Sequence, residues 1–184
     1  MVSNIQARFG EAALEVVQGD ITKQEVDVIV NAANRHLRGG GGVDGAIHRA
    51  GGPLLSLECG WHAGCFPGKV VPTCAGNLKA KRVYHAVGPI WRGGENGEAN
   101  LLASCYLEAL ALAEREGHSS IAFPSISTGA YRYPVKQAAS VAMEIVARFL
   151  ASAQSARLVR FVLFDEKTFA AYAEALREQT QPQS

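Results

Sequence analysis

No apolar run in this 184-residue chain reaches the roughly 20 residues that a membrane-spanning helix needs. The opening stretch MVSNIQARFGEA lacks the basic-then-apolar layout of a secretory signal, so a cytoplasmic location and no membrane partner are expected. There is no long block of one charge either. The net charge is +1, and the KAKR cluster at Lys79 to Arg82 is short enough to read as a solvated turn. A duplex-binding surface would need a stronger basic stripe, which argues against a specific nucleic-acid partner. Four cysteines in a chain this long suggest reduced thiols and no disulfide framework. Cys59, His62 and Cys65 are spaced C-x2-H-x2-C, with Cys74 further on. Structural zinc sites usually pair cysteines two to four residues apart, and no such pair occurs, so small buried thiols and no metal are expected. Internal repeats, low-complexity tracts and linkers are also lacking. One domain over residues 1–184 is expected, with residues 179–184 as a frayed polar tail.

What the chain does have is a core: 48% of its residues are hydrophobic, enough to fold around one interior. Residues 13–18, 26–30, 69–73, 82–87, 120–123 and 158–164 read as strands, with residues 5–9 as an edge strand. The 26–30 strand is nearly all apolar and so buried on both faces. Residues 100–116, 135–150 and 168–178 carry apolar side chains at helical spacing, and a shorter helix begins near Asp44. Strands alternating with helices predict an α/β layered domain with a largely parallel sheet. Ligands collect at the carboxyl ends of strands in such sheets. The unusual polar and glycine-rich segments all follow strands: residues 19–20, 31–44, 125–131 and 164–165. If those strands are parallel, the four segments share one rim.

Four consecutive glycines, Gly39 to Gly42, are costly in backbone entropy. Their exposed amides, followed by a helix N-terminus, suit a phosphate. Gly40 to Gly45 satisfies G-x-G-x-x-G, but a dinucleotide fold needs the motif directly after its strand and an acidic residue about twenty positions on. Here about nine residues intervene and the acidic residue is missing, which weighs against a dinucleotide-dependent oxidoreductase. Asp44 either caps the helix dipole or orients a water or a sugar hydroxyl. His48, four residues later, shares its helical face and either touches Asp44 or packs into the core. Asn31 and Asn34 offer amides to sugar hydroxyls or shape a turn. The stretch PSISTGAYRYP supplies hydroxyls and closely spaced amides at Ser127, Thr128 and Gly129. Tyr131 stacks on a sugar or base, or caps the core; Phe164 has the same two readings.

Taken together, VVQGDITKQEVDVIVNAANRHLRGGGGVDGAIHRAGGPLL, VYHAVGPIW and PSISTGAYRYP strongly resemble the macrodomain family, in its MacroD-type branch. The resemblance spans residues 16–146, with a weaker continuation at VLFDEKTF. It implies a three-layer α/β/α sandwich with a central mixed, mostly parallel sheet. It implies that the chain binds ADP-ribose and hydrolyses ADP-ribosyl esters, acting on O-acetyl-ADP-ribose, on mono-ADP-ribosylated acidic side chains of proteins, or on both. No cofactor is implied, and a monomer is expected. The alternative is a non-catalytic module that reads ADP-ribose without turnover.

The resemblance also implies roles, carried over residue by residue. Asp20 accepts from the adenine amino group with Ile21 beside it, and Phe164 stacks on the adenine. Ser127, Thr128, Gly129, Ala130 and Tyr131 wrap the diphosphate, while Gly41, Gly42 and Val43 close over it. The catalytic set is Asp44, Asn34, Asn31 and His48. Asn34 holds the distal ribose with support from Asn31, and Tyr131 lies against that sugar. Asp44 orients a water, aided by a phosphate oxygen of the substrate. Departures from the family pattern occur at GCFPGKVV (Phe66 to Lys69), at RHLR (Arg35 to Arg38) and at Arg132, where glycine is usual.

Overall fold

The computed structural model describes residues 4–180. Each strand of the core buries alternate side chains in opposite directions, and this alternation generates two cores. In β3 (Val28–Ala32), Val28 and Val30 face one core while Ile29 faces the other, and all three are fully buried. A strand buried on both faces must be covered on both, which places it at the centre of the sheet.

The sheet has seven strands in the order β1-β2-β7-β6-β3-β5-β4, where β1 is Asn4–Phe9, β2 Ala12–Gln18, β4 Val70–Cys74, β5 Arg82–Ala86, β6 Ser120–Phe123 and β7 Leu158–Leu163. The middle five strands are parallel, and the outermost pairs, β1 with β2 and β4 with β5, are antiparallel. The expected mixed, mostly parallel sheet is therefore present. Helices α3 (Glu98–Arg115), α4 (Val135–Leu150) and α5 (Glu166–Thr180) cover one face. Helices α1 (Gly42–Gly51) and α2 (Pro53–Gly60) cover the other, completing three layers.

Predicted and observed elements agree to within two residues in most cases, and α4 agrees at both ends. Three differences have local causes. Helix α2 escapes the sequence pattern because its buried residues, Leu55 and Cys59, are few; Gly52 at φ +78° turns the chain and Pro53 starts the helix at a position where its missing N–H costs nothing. Helix α5 runs through Gln179 and Thr180, so the expected frayed tail begins no earlier than residue 181; residues 181–184 lie outside the described residues. Helix α3 starts two residues early because Glu98 anchors the loop before it. Its carboxylate accepts from the amides of Arg92 (2.9 Å), Gly94 (3.2 Å) and Asn96 (2.7 Å).

Glu98 is 2% exposed. Burial alone raises a carboxyl pKa, but here the backbone amides outweigh it and pull the group down to about 2. A depressed folded-state pKa means that the stabilisation is fully present above the unfolded value, ~4.3, and is lost as the pH falls toward about 2. Glu98→Gln is therefore expected to lower the melting temperature at neutral pH by a few degrees. The gap to wild type should close on acidification across that window, as followed by thermal melts at a series of pH values.

Candidate functional site

The parallel register brings the ends of β3, β6 and β7 to one rim, and a cleft of about 470 Å³ opens there. Asn34, residues 40–44, residues 124–131 and residues 162–165 line it. The two loops predicted to face each other thus do so across one space. Residues 19–20 run alongside, since the Gly19 amide donates to the carbonyl of Leu163 at 2.9 Å.

Each loop offers unspent backbone donors. Among the described residues, the amides of residues 127–131 find no acceptor in the protein, nor do those of residues 39–44. Amides left unsatisfied inside a cleft form an anion-binding concavity. The first turn of α1 adds its dipole on one side. The glycines have a steric reason here: Gly42 opens the helix at φ +56°, a left-handed backbone that side chains rarely adopt. A Cβ on Gly88, in the AVGP segment before the cleft, would fall 2.0 Å from Ser127 Oγ and 2.6 Å from Ile126 Cγ2. Gly88 lets the second loop settle close to the sheet. No local pattern marks Gly88, because the close approach involves a residue nearly forty positions away.

The side chains of the second loop divide their work. Ser127 takes a left-handed φ of +68°, and its buried hydroxyl has no partner among the described residues. Thr128, by contrast, spends its hydroxyl inside the loop, on Ser125 Oγ at 2.7 Å and on the Ser125 carbonyl at 3.2 Å. Thr128 therefore offers the cleft an amide and not the hydroxyl expected from the sequence. Gly129 and Ala130 line the cleft with backbone. The Tyr131 ring lines it as well, and its hydroxyl pKa is pushed up by burial and by the Asp44 carboxylate. Tyr133 is the capping residue, packed on Trp91 with ring centroids 4.6 Å apart. Phe164 is no core residue: it is 81% exposed on the cleft wall. Arg132 sits at φ +59°, which gives a backbone reason for the glycine usual at this position.

Asp44 lies at the cleft end of the glycine loop, 7% exposed. Its Oδ1 accepts from Asn31 Nδ2 at 2.7 Å and lies 3.4 Å from His48 Nε2, while Oδ2 is 3.5 Å from Asn34 Nδ2. Helix capping alone would not call for this convergence. Of the four residues expected in the catalytic set, only Asp44 and Asn34 reach the cleft. Asn31 is fully buried within β3 and holds Asp44 from behind, whereas His48 faces Ser56 Oγ (3.1 Å) and a separate hollow, its Nε2 near Asp44 but without a hydrogen-bond partner among the described residues. Of the two readings of His48, the structure shows the one beside Asp44, at 3.4 Å. Asn34 is also partly committed. Its Oδ1 accepts from the amides of His36 and Arg38, and its Nδ2 donates to the Arg38 carbonyl, which shapes the loop.

Asp20 and Ile21 lie beyond the cleft lining. Asp20 Oδ1 caps a short 3-10 turn through Thr22, and Ile21 is buried in the core under α1 because that turn points it inward. The C-x2-H-x2-C set does not converge. Cys65 Sγ donates to the neighbouring Phe66 carbonyl, and the ligand-type atoms that do converge belong to His48, Cys59 and His85. Two of the departures meet. The Cys65 amide donates to the Arg35 carbonyl at 2.8 Å and the Arg35 guanidinium lies 5.8 Å from the centre of the exposed Phe66 ring, so the RHLR and GCFPG segments form one unit beside the glycine loop.

The sequence pattern of the Macro domain family matches residues 30–142. The O-acetyl-ADP-ribose deacetylase of Enterobacter sp. (strain 638) is 52% identical over 167 residues, which cover 89% of this chain and 93% of that protein. A macrodomain from Oceanobacillus iheyensis, solved with ADP, matches with a TM-score of 0.94 at 41% identity over 97% of each chain. The Trypanosoma brucei macrodomain in complex with ADP-ribose matches with a TM-score of 0.83 at 38% identity, over 89% of this chain and 68% of that one.

Proposed function

The chain belongs to the macrodomain family, and from that premise we propose that it binds ADP-ribose and hydrolyses ADP-ribosyl esters. The observation that carries the proposal is the position of Asp44, held by Asn31 and Asn34 at the end of a cleft walled by two rows of unspent amides. A binding site for a diphosphate needs the amides alone. The carboxylate beside them is what a hydrolase adds.

The ligand runs along the rim. Phe164 stacks on the adenine, and Asp20, whose Oδ2 has no partner among the described residues, accepts from the adenine amino group with Ile21 backing it. The amides of residues 127–131 take one side of the diphosphate and Gly41, Gly42 and Val43 the other. Tyr131 lies against the distal ribose, and Asn34 reaches its hydroxyls. Asp44 accepts a hydrogen bond from the attacking water and fixes its direction, with a phosphate oxygen of the substrate sharing that task. The reaction takes up one water and yields ADP-ribose and a carboxylic acid, acetic acid from O-acetyl-ADP-ribose or a side-chain carboxyl from a modified protein. The chain needs no cofactor of its own and no nucleic acid for this, and one chain supplies the whole cleft. A cytoplasmic setting suits its four unpaired cysteines. Among the described residues no helix is long and apolar enough to cross a membrane.

The test is to incubate the protein separately with O-acetyl-ADP-ribose and with a carboxylate-linked mono-ADP-ribosylated protein, following ADP-ribose release and calorimetric binding together. Release from either ester is the expected result. Tight binding with no release from either would make the protein a reader module, and no binding at millimolar ADP-ribose would end the ligand assignment.

A further inference from the structure

Behind Asp44 lies a buried chain of hydrogen bonds whose direction can be read. Asn31 and His85 are directly opposite each other on β3 and β5 and are fully buried, and Thr73 on β4 is almost so. The Asn31 amide has two hydrogens. One goes to Asp44 Oδ1 at 2.7 Å, and the other points at His85 Nδ1, 3.1 Å away. A ring nitrogen that accepts carries no hydrogen, so the imidazole hydrogen is on Nε2. Thr73 Oγ1 receives it at 2.9 Å and passes its own hydrogen to the Cys74 carbonyl at 3.0 Å. Turning the Asn31 amide over would set its oxygen against the Asp44 carboxylate, so the Nδ1 lone pair helps to fix which way Asn31 faces.

We infer that His85 is a positioning residue: a neutral imidazole in the Nε2–H form that orients Asn31, and through Asn31 the carboxylate of Asp44. The inference rests on the role proposed for Asp44. Burial, with His48 and His62 nearby, pulls the His85 pKa down to about 3, which keeps the ring neutral at ordinary pH. A competing use of the same ring is metal binding, since ligand atoms of His48, Cys59 and His85 lie within 4.8 Å of one another. A ligand nitrogen needs a free lone pair, however, and the network occupies both ring nitrogens of His85. The Cys59 thiol, 3.4 Å from Nε2, is moreover pushed up to about 11, by burial first and then by Asp44.

Two measurements on the full chain test this. Long-range 1H–15N correlation spectra of the wild-type protein should show His85 with Nδ1 bare and Nε2 protonated from about pH 5 to about pH 8. An Nδ1–H form or an imidazolium would overturn the inference, whatever the protein's activity. The second measurement uses O-acetyl-ADP-ribose kinetics. His85→Asn keeps an acceptor near the Nδ1 position, whereas His85→Gln keeps only a donor near Nε2. His85→Gln should lower kcat roughly ten- to thirtyfold with KM and ADP-ribose affinity nearly unchanged, while His85→Asn stays within about threefold of wild type. A packing role predicts the reverse order, because glutamine matches the lost volume better, and that order would overturn the inference. So would one equivalent of zinc found in the purified wild type and missing from both variants. If neither variant folds, the tautomer of the wild type decides by itself. A wild type without turnover but with the Nε2–H form would refute the hydrolase reading and leave the geometry of His85 standing.

Discussion

Asp44→Ala should abolish ester hydrolysis, with kcat falling by about a thousandfold or more, while ADP-ribose still binds. The expectation follows from where the carboxylate stands. Its Oδ1 is taken by Asn31, while Oδ2 has only the long contact to Asn34, a residue that also lines the cleft. Alanine leaves the water at that point without an acceptor and without a direction. The amides of residues 39–44 and 127–131 are untouched, so the diphosphate keeps its partners. Affinity should stay within about threefold or tighten, because removing a carboxylate beside a diphosphate removes a like-charge repulsion. Asp44→Asn is the sharper variant. It preserves volume but supplies an amide where a carboxylate is needed, and it should lose turnover to the same degree. Asp44→Ala also leaves the buried Asn31 amide without its acceptor, so a lower melting temperature accompanies the loss of turnover, and the comparison is made on folded protein. Steady-state kinetics and calorimetry on the same preparations separate the two effects. Turnover at the wild-type rate in Asp44→Ala would reduce the residue to a helix cap.

Phe164→Ala has the next largest expected effect, and it falls on binding. An aromatic ring that is 81% exposed at the end of a core strand contributes little to folding. Stacking a base on such a ring is worth ~1–3 kcal/mol, so ADP-ribose affinity should drop by about 5- to 150-fold. The melting temperature should barely move, and kcat at saturating substrate should hold if, as proposed, Phe164 binds the adenine and Asp44 acts at the other end of the ligand. Phe164→Trp should restore affinity. An alanine variant that binds ADP-ribose as wild type does would show that the adenine lies elsewhere. Neither outcome depends on Asp44, so the two variants test the two ends of the ligand independently.

The layered fold was legible because its causes are local. The nearly all-apolar stretch of residues 26–30 reads as a strand covered on both faces, and the apolar spacing of Val135–Leu150 reads as a helix packed against something flat. Polar segments following parallel strands must share a rim, and residues 31–44, 125–131 and 164–165 do. The order of motifs pointed to the same family that the whole-chain comparisons support.

What the sequence by itself determined, then, was most of the elements, all but α2, their α/β layering, and the meeting of the glycine loop with residues 125–131 and 164–165. The tertiary structure alone decided how individual polar atoms are spent. Asn31 donates to Asp44 thirteen positions away and to His85 fifty-four positions away, and Thr73 meets His85 twelve positions away. The contacts of His85 come from the register of β3, β5 and β4, and that of Asp44 from the packing of α1 against β3, neither of which a local pattern encodes. The same holds for the Thr128 hydroxyl, lost to Ser125, and for Gly88, which owes its identity to a loop nearly forty residues on. A hydrophobic pattern has a period and can be read along the chain. A hydrogen bond between strands has only a direction and a distance, and both exist only once the sheet has closed.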